Sequence, residues 1–177
     1  MALTVLTGGM RSGKSRLAVR LAAESGHDVV VIATAQPRDD DMAARIRRHR
    51  SERPDDWATV EEPVDLADAL AATPPAATVV VDCLTLWVSN LVERDCGDAK
   101  ILELARSAAR LAAGREAPTI AVTNEVGGGV IPANPLARRY AEVLGRVNAD
   151  WVEHARRAYL VVAGRVLPLQ PADSVEA

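Results

Sequence analysis

The sequence predicts an α/β fold, a mostly parallel sheet covered by helices on both faces and closed by a short C-terminal hairpin. Three observations carry this. Short runs rich in Val, Ile and Leu alternate with longer segments of helical spacing. The runs are continuously apolar, as strands covered on both sides require. Apart from Gly145 and Pro168, glycine and proline fall between the segments or at their ends. No repeat, low-complexity stretch or linker interrupts the pattern, so residues 1–177 are expected to form a single domain.

Leu3 to Thr7 reads as the first strand. A glycine-rich turn follows, then a helix from Lys14 to Ser25 with Leu17, Leu21 and Ala22 on one face, ending at Gly26. Asp28 to Thr34 is a second strand. Asp39 to Arg53 is an amphipathic helix, capped by Asp39 or Asp40 and stopped by Pro54. Pro63 to Ala72 is expected to be helical, and Thr78 to Asp82 a third strand. Leu84 to Val92 and Asp98 to Gly114 are helices, followed by a strand from Pro118 to Thr123. Pro135 to Arg157 reads as one long helix with Gly145 as its weak point. Tyr159 to Ala163 and Val166 to Leu169 form the closing hairpin around Gly164-Arg165, and Gln170 to Ala177 a loose tail.

Composition removes several classes. Hydrophobic residues at 49% and charged residues at 25% exclude a disordered chain. A net charge of -3 argues against a polyanion binder, so no nucleic-acid partner is expected. No apolar run approaches the roughly 20 residues of a membrane helix. The opening MALTVLTGG is too short and lacks the basic flank of a secretion signal. Two cysteines, Cys83 and Cys96, exclude a disulfide framework and a four-thiolate metal site. A reducing cytoplasm is the simplest setting. Lys14 and Lys100 are the only lysines among 21 basic residues, so a lysine inside a glycine-rich motif stands out.

That motif is GGMRSGKS, Gly8, Gly9, Met10, Arg11, Ser12, Gly13, Lys14 and Ser15, which fits G-x-x-x-x-G-K-[ST] between a strand and a helix. It predicts a phosphate-binding P-loop and hence a P-loop NTPase-like fold. Glycines let several N–H groups converge on an anion, and the helix N-terminus adds partial positive charge. Lys14 is expected to reach the β- and γ-phosphates and the Ser15 hydroxyl to ligate Mg2+. Asp82, at the end of VVVD, is a candidate second Mg2+ ligand and equally a cap for the helix that follows.

His49 lies among Arg45, Arg47, Arg48, Arg50 and Arg53. Arg45, His49 and Arg53 are spaced by four, so they share a helix face, with Met42 and Ile46 on the neighbouring stripe. Surrounding cations disfavour imidazolium, and the neutral ring is the nucleophilic form. The same cations would gather a triphosphate. This suits a histidine that attacks phosphorus, although a solvated arginine-rich helix with an incidental histidine fits the local sequence as well. A second glycine loop, in TNEVGGGVIPANPLARRY from Thr123 to Tyr140, leaves a strand end, with Asn124 and Glu125 facing the site or the loop serving as a plain connector. Arg138, Arg139 and Arg146 on the next helix are either site residues or surface ion-pair partners.

Taken together, GGMRSGKS, the IAT ending at Thr34, DDDMAARIRRHR, WATVE (Trp57 to Glu61) and TNEVGGG resemble the bifunctional adenosylcobinamide kinase/adenosylcobinamide-phosphate guanylyltransferase family. The order is the same, and the resemblance runs from Leu3 to about Leu169. It implies two reactions. A nucleoside triphosphate, ATP or GTP, phosphorylates adenosylcobinamide. GTP then donates GMP to that phosphate, giving adenosylcobinamide-GDP and pyrophosphate through a GMP–histidine intermediate. The matching histidine is His49. The same matching implies that Gly8 to Ser15, Ala33, Thr34, Ala35, Arg50, Ser51, Glu52, Arg53, Glu61 and Asp82 line the guanine nucleotide site. It also implies a homotrimer. One position departs from the pattern: GRVNA at Gly145 to Ala149 stands where the family usually has G-R-x-N-Q. A simple P-loop kinase without a covalent step, or a GTP-binding switch, is the alternative that the loop alone would allow.

Overall fold

The structure, a computed structural model, describes residues 3–129 and 131–174. Seven strands form one sheet in the order β3-β2-β4-β5-β1-β6-β7. They are β1 (Leu3–Thr7), β2 (Val29–Ala33), β3 (Ala58–Glu61), β4 (Thr78–Asp82), β5 (Thr119–Val122), β6 (Arg157–Val162) and β7 (Arg165–Pro168). All pairings are parallel except that of β6 with β7. The helices are α1 (Lys14–Ala23), α2 (Asp40–Ser51), α3 (Leu66–Ala72), α4 (Leu84–Glu93), α5 (Asp98–Gly114) and α6 (Pro135–His154).

Both faces carry helices, but unequally. Leu3, Val5, Ile32, Val79, Val81 and Ala121 point to one side, where α3, α4, α5 and α6 bury them. Leu6, Val31, Val80, Ile120 and Val122 point to the other, where α1 is the only helix in the core among the described residues and Trp57 packs at its edge. Alternation along each strand produces this division, and each buried aliphatic side chain contributes about 1.5–3 kcal/mol.

Several sequence expectations are corrected. The segment Ala58–Glu61 is a strand, pairing Val30 with Ala58 and Ala33 with Glu61 at the sheet edge. Helix α3 starts at Leu66 instead of Pro63, because the Glu62 carboxylate accepts from the N–H groups of Val64 and Asp65 and makes a turn there. Helix α6 stops at His154, since Arg156 already donates its N–H to Leu3 and joins the sheet. The hairpin turn is Ala163-Gly164, both at positive φ, one residue earlier than expected. The predicted tail contains one 3-10 turn at Ala172–Ser174, and residues 175–177 lie outside the described residues, as does Val130 of the second glycine loop. Asp39 is the cap of α2, accepting from the Met42 N–H at 2.6 Å.

The P-loop is fixed by the hairpin beside it. Gly164 donates its N–H to the Ser12 carbonyl at 2.8 Å. At Gly8, φ is +146° and a Cβ would stand 2.2 Å from the carbonyl oxygen of Val161. Only glycine fits, because both the dihedral and the neighbouring backbone are fixed. Gly9 has no atom within 4 Å of its would-be Cβ. Gly8→Ala is therefore expected to lose at least about 3 kcal/mol in urea unfolding, strain plus overlap. Gly9→Ala should change stability by no more than about 0.5 kcal/mol. Equal losses would mean that the loop is not held by β6.

Candidate active site

The site lies at the C-terminal ends of the strands, where the P-loop, α2 and the β4 end meet. Gly13 at φ 103° starts α1 without a side-chain cap or an acidic residue in the first turn. The first N–H groups of α1 therefore face the loop. The Lys14 ammonium lies inside the loop, donating to the carbonyls of Gly8 at 2.8 Å and Gly9 at 2.7 Å. Burial pushes its pKa below 10.5, and the Arg45 guanidinium acts in the same direction.

Asp82 ends β4 and holds α2. Its Oδ2 accepts from Arg53 Nη2 at 2.5 Å and lies 3.7 Å from His49 Nδ1. Burial alone would raise this carboxyl, but His49 and Arg53 outweigh it and hold the pKa below the ordinary 3.8. Helix α2 has no buried residue of its own. Met42 and Ile46 are half-buried, so the Asp82 contacts carry much of its attachment. Next to Asp82, burial pushes the Cys83 thiol up to about 11, so it stays neutral. Thr34 is fully buried, donating to the Cys83 carbonyl at 2.7 Å and accepting from its N–H at 2.9 Å. It sets the backbone at the β4 end.

Three cavities meet at His49 and Asp82. The largest, about 740 Å3, is lined by Met10 to Ser15 of the loop and by Arg16, Arg45, Arg48, Glu52 and Asn124. A small one at the strand ends is lined by Ala33, Ala35, Arg50, Arg53, Thr59 and Glu61. The third lies against the α1 face. Of the residues expected at the nucleotide, Gly8, Gly9, Thr34 and Ser51 line none of the three cavities. Gly8 and Gly9 hold Lys14, Thr34 acts from behind, and Ser51 donates to the Arg48 carbonyl.

The donor set suits a hard cation. Ser15 and Asp82 share the P-loop cavity, and both the Arg53 guanidinium and the His49 ring sit on the Asp82 Oδ2. Oδ1 takes no hydrogen bond among the described residues. Among those residues no three His, Cys, Asp or Glu side chains converge. A cation here would share its shell with phosphate oxygens, as Mg2+ does in nucleotide sites.

Comparison with known proteins decides the family. The model for cobinamide kinase / cobinamide phosphate guanyltransferase (CobU) matches residues 4–169. The chain belongs to this family. It is 46% identical over 169 residues to the bifunctional adenosylcobalamin biosynthesis protein CobP of Pseudomonas aeruginosa, covering 94% of this chain and 96% of that protein. It is 39% identical over 175 residues to the bifunctional adenosylcobalamin biosynthesis protein CobU of Escherichia coli, covering 92% and 96%. Among solved structures, the RadB recombinase superposes with a TM-score of 0.52 at 17% identity, over 90% of this chain and 73% of that one, a likeness of fold alone. This cobinamide kinase/guanylyltransferase family member is thus a bifunctional enzyme on a P-loop fold. No helix among the described residues is long and apolar enough to cross a membrane.

The family's second loop is built from a buried polar network that sequence reasoning missed. Thr123 donates to Asn148 Oδ1 at 2.7 Å, and Asn148 Nδ2 donates to the Asn124 carbonyl at 3.1 Å. Thr85 accepts from the Asn124 N–H at 2.8 Å, and Tyr140 donates to the Thr85 carbonyl. Asn124 is thereby held facing the P-loop cavity. Glu125 instead donates its N–H to the Gly8 carbonyl and turns its carboxylate onto the Gly127 N–H. Ala149 is exposed, so its departure from the family pattern costs this chain no internal contact. Arg139 is an ion-pair partner of Asp98 at 2.7 Å, and Arg138 donates to the carbonyls of Pro132 and Ala133.

The depressed Asp82 pKa has a sign. The stability it contributes is fully present above the unfolded value of 3.8 and is lost as pH falls through the lower folded value. Urea unfolding of metal-free protein between about pH 6 and about pH 2 should show a steeper acid-side loss for wild type than for Asp82→Asn. Parallel curves would show that Asp82 titrates alike in both states.

Proposed function

We propose that this chain carries out both reactions on one nucleotide-binding domain. It phosphorylates adenosylcobinamide with a nucleoside triphosphate, ATP or GTP. It then transfers GMP from GTP to adenosylcobinamide phosphate through a GMP–His49 intermediate, releasing pyrophosphate. The observation that carries this reading is the place of His49. It borders the P-loop cavity and the strand-end cavity at once, with Nδ1 turned toward Asp82.

With Nδ1 facing a carboxylate, Nε2 is the ring nitrogen free to attack. Nε2 forms a bond to the α-phosphorus, and the bond from that phosphorus to the bridging oxygen breaks. Pyrophosphate leaves toward Lys14 and the arginines of α2. A phosphate oxygen of the acceptor then attacks the same phosphorus and frees His49. Ser15 and Asp82 would hold Mg2+, which supplies charge neutralisation at the phosphates. In this reading Arg50, Arg53 and Glu61 meet the guanosine side of GTP, and Gly8 to Ser15 its triphosphate.

Kinase transfer attacks the γ-phosphorus and guanylyl transfer the α-phosphorus, so one register of the triphosphate does not serve a fixed His49 for both. The absence of any buried residue in α2 supports a helix that moves when GTP binds. Assembly into a trimer belongs to the same reading, with Val162, Val166 and Leu167 of the hairpin as exposed apolar surface to be covered.

Intact-protein mass after incubation with GTP and Mg2+, without corrinoid, tests the covalent step. Wild type should gain one GMP, lost in acid and kept in base, and His49→Ala should gain none. GTP binding without an adduct would leave a kinase lacking the covalent step, or a switch.

A further inference from the structure

The cavity on the α1 face shares Ser15, Glu52, Arg53 and Asp82 with the nucleotide reading, but that reading gives its floor no occupant. It measures about 410 Å3. Val31, Val80 and Val122 form its floor, Val19 of α1 one side, and Trp57 its cover. Among the described residues α1 is the only helix in the core on this face, which leaves the cavity beside it uncovered by a second helix. Ser15, Arg16, His49, Glu52, Asp82 and Val122 border both this cavity and the P-loop cavity, so the two are continuous.

The lining selects the occupant. An apolar floor with charge confined to one rim suits a ligand of hydrocarbon body and polar end. The cavity's two arginines, Arg16 and Arg53, stand where it meets the P-loop and strand-end cavities, and none stands among the floor valines. Of the residues that the resemblance assigns to the nucleotide, Ser15, Glu52, Arg53 and Asp82 border this cavity, whereas Ala33, Ala35, Arg50 and Glu61 line the strand-end cavity alone. Phosphorylation needs an alcohol brought to the γ-phosphorus from beyond the Ser15–Asp82 side of the loop, away from water. It also needs a carboxylate that accepts the hydroxyl proton. Asp82 already holds Arg53 and faces His49. Glu52 stands on the shared rim and forms no ion pair among the described residues.

We propose that this cavity receives the hydroxyl-bearing side arm of cobinamide during phosphorylation, with Glu52 accepting the hydroxyl proton; the proposal rests on the kinase half of the function above. The corrin ring is too large for the cavity and stays outside it. The hydroxyl oxygen forms a bond to the γ-phosphorus while the bond from that phosphorus to the bridging oxygen breaks. The nucleoside diphosphate leaves with the electron pair, and the proton passes to the Glu52 carboxylate.

Steady-state phosphorylation of adenosylcobinamide by ATP, alongside self-labelling by GTP, tests this in variants that fill or open the cavity. Val19→Phe and Trp57→Ala should each raise the KM for cobinamide about tenfold or more, leaving the KM for ATP and the self-labelling within about twofold. Glu52→Gln should lower the kcat of phosphorylation by about a hundredfold with the cobinamide KM little changed. Thermal unfolding checks that each variant is folded, and Val19→Phe serves if Trp57→Ala is not. A raised KM for ATP would put a nucleobase in the cavity and overturn the proposal, as would unchanged constants in Val19→Phe. Full activity in Glu52→Gln would remove its role. A wild type that self-labels but phosphorylates no cobinamide would remove the kinase half itself, and the proposal with it.

Discussion

One carboxylate ties helix α2 to the sheet. Asp82 ends a strand in the middle of the sheet, and Arg53 and His49 reach it from the end of a helix that buries nothing. Two half-buried apolar side chains, Met42 and Ile46, give α2 little hydrophobic anchorage, whereas breaking a largely buried ion pair costs about 3–5 kcal/mol. An electrostatic attachment responds to charge in a way that packing does not. Triphosphate and cation arriving at the loop alter the field around Asp82 directly. The same residue thus sets where the helix rests and is exposed to whatever binds below it.

The rest of the site is rigid by comparison. The loop is pinned by Gly8 against Val161 and by Ser12 against Gly164. The second loop is pinned by Asn148, Thr85 and Thr123. Around these fixed walls three cavities converge on His49 and Asp82, and their linings differ. One is rich in cations and backbone N–H groups, one combines arginines with carboxylates, and one has an apolar floor under a charged rim. Two group transfers on one phosphate loop require such a division, because donor and acceptor must approach the same few ångströms from different sides.

Much of this was legible in the sequence wherever the signal is local. The P-loop declares itself because glycine spacing, lysine and serine are all set by one turn, and Gly8 and Gly13 do adopt positive φ. The buried strands are visible because both faces are covered. Strand β3 was not, since it lies at the edge, its residues are mostly exposed, and only pairing with β2 makes it a strand. The early end of α6 was hidden for a similar reason, for helical spacing continues past His154 while Arg156 is claimed by β1. Arginine spacing did bring Arg53 near His49, although α2 ends at Ser51 and Arg53 lies just past it instead of on the helix face. That both meet Asp82, 29 residues further on, is a tertiary fact with no periodic trace. The apolar cavity depends on the absence of a second helix over Val31, Val80 and Val122, which no residue in the sequence announces.

The attachment of α2 is measured most directly by amide hydrogen exchange in the nucleotide-free protein, comparing wild type with Arg53→Ala. If the ion pair holds the helix, amides of residues 43–51 should exchange at least about tenfold faster in the variant, a change of about 1.4 kcal/mol in local opening, while those of β4 keep their protection. Unchanged exchange across α2 would show that packing holds the helix, and the account built on Asp82 would be wrong.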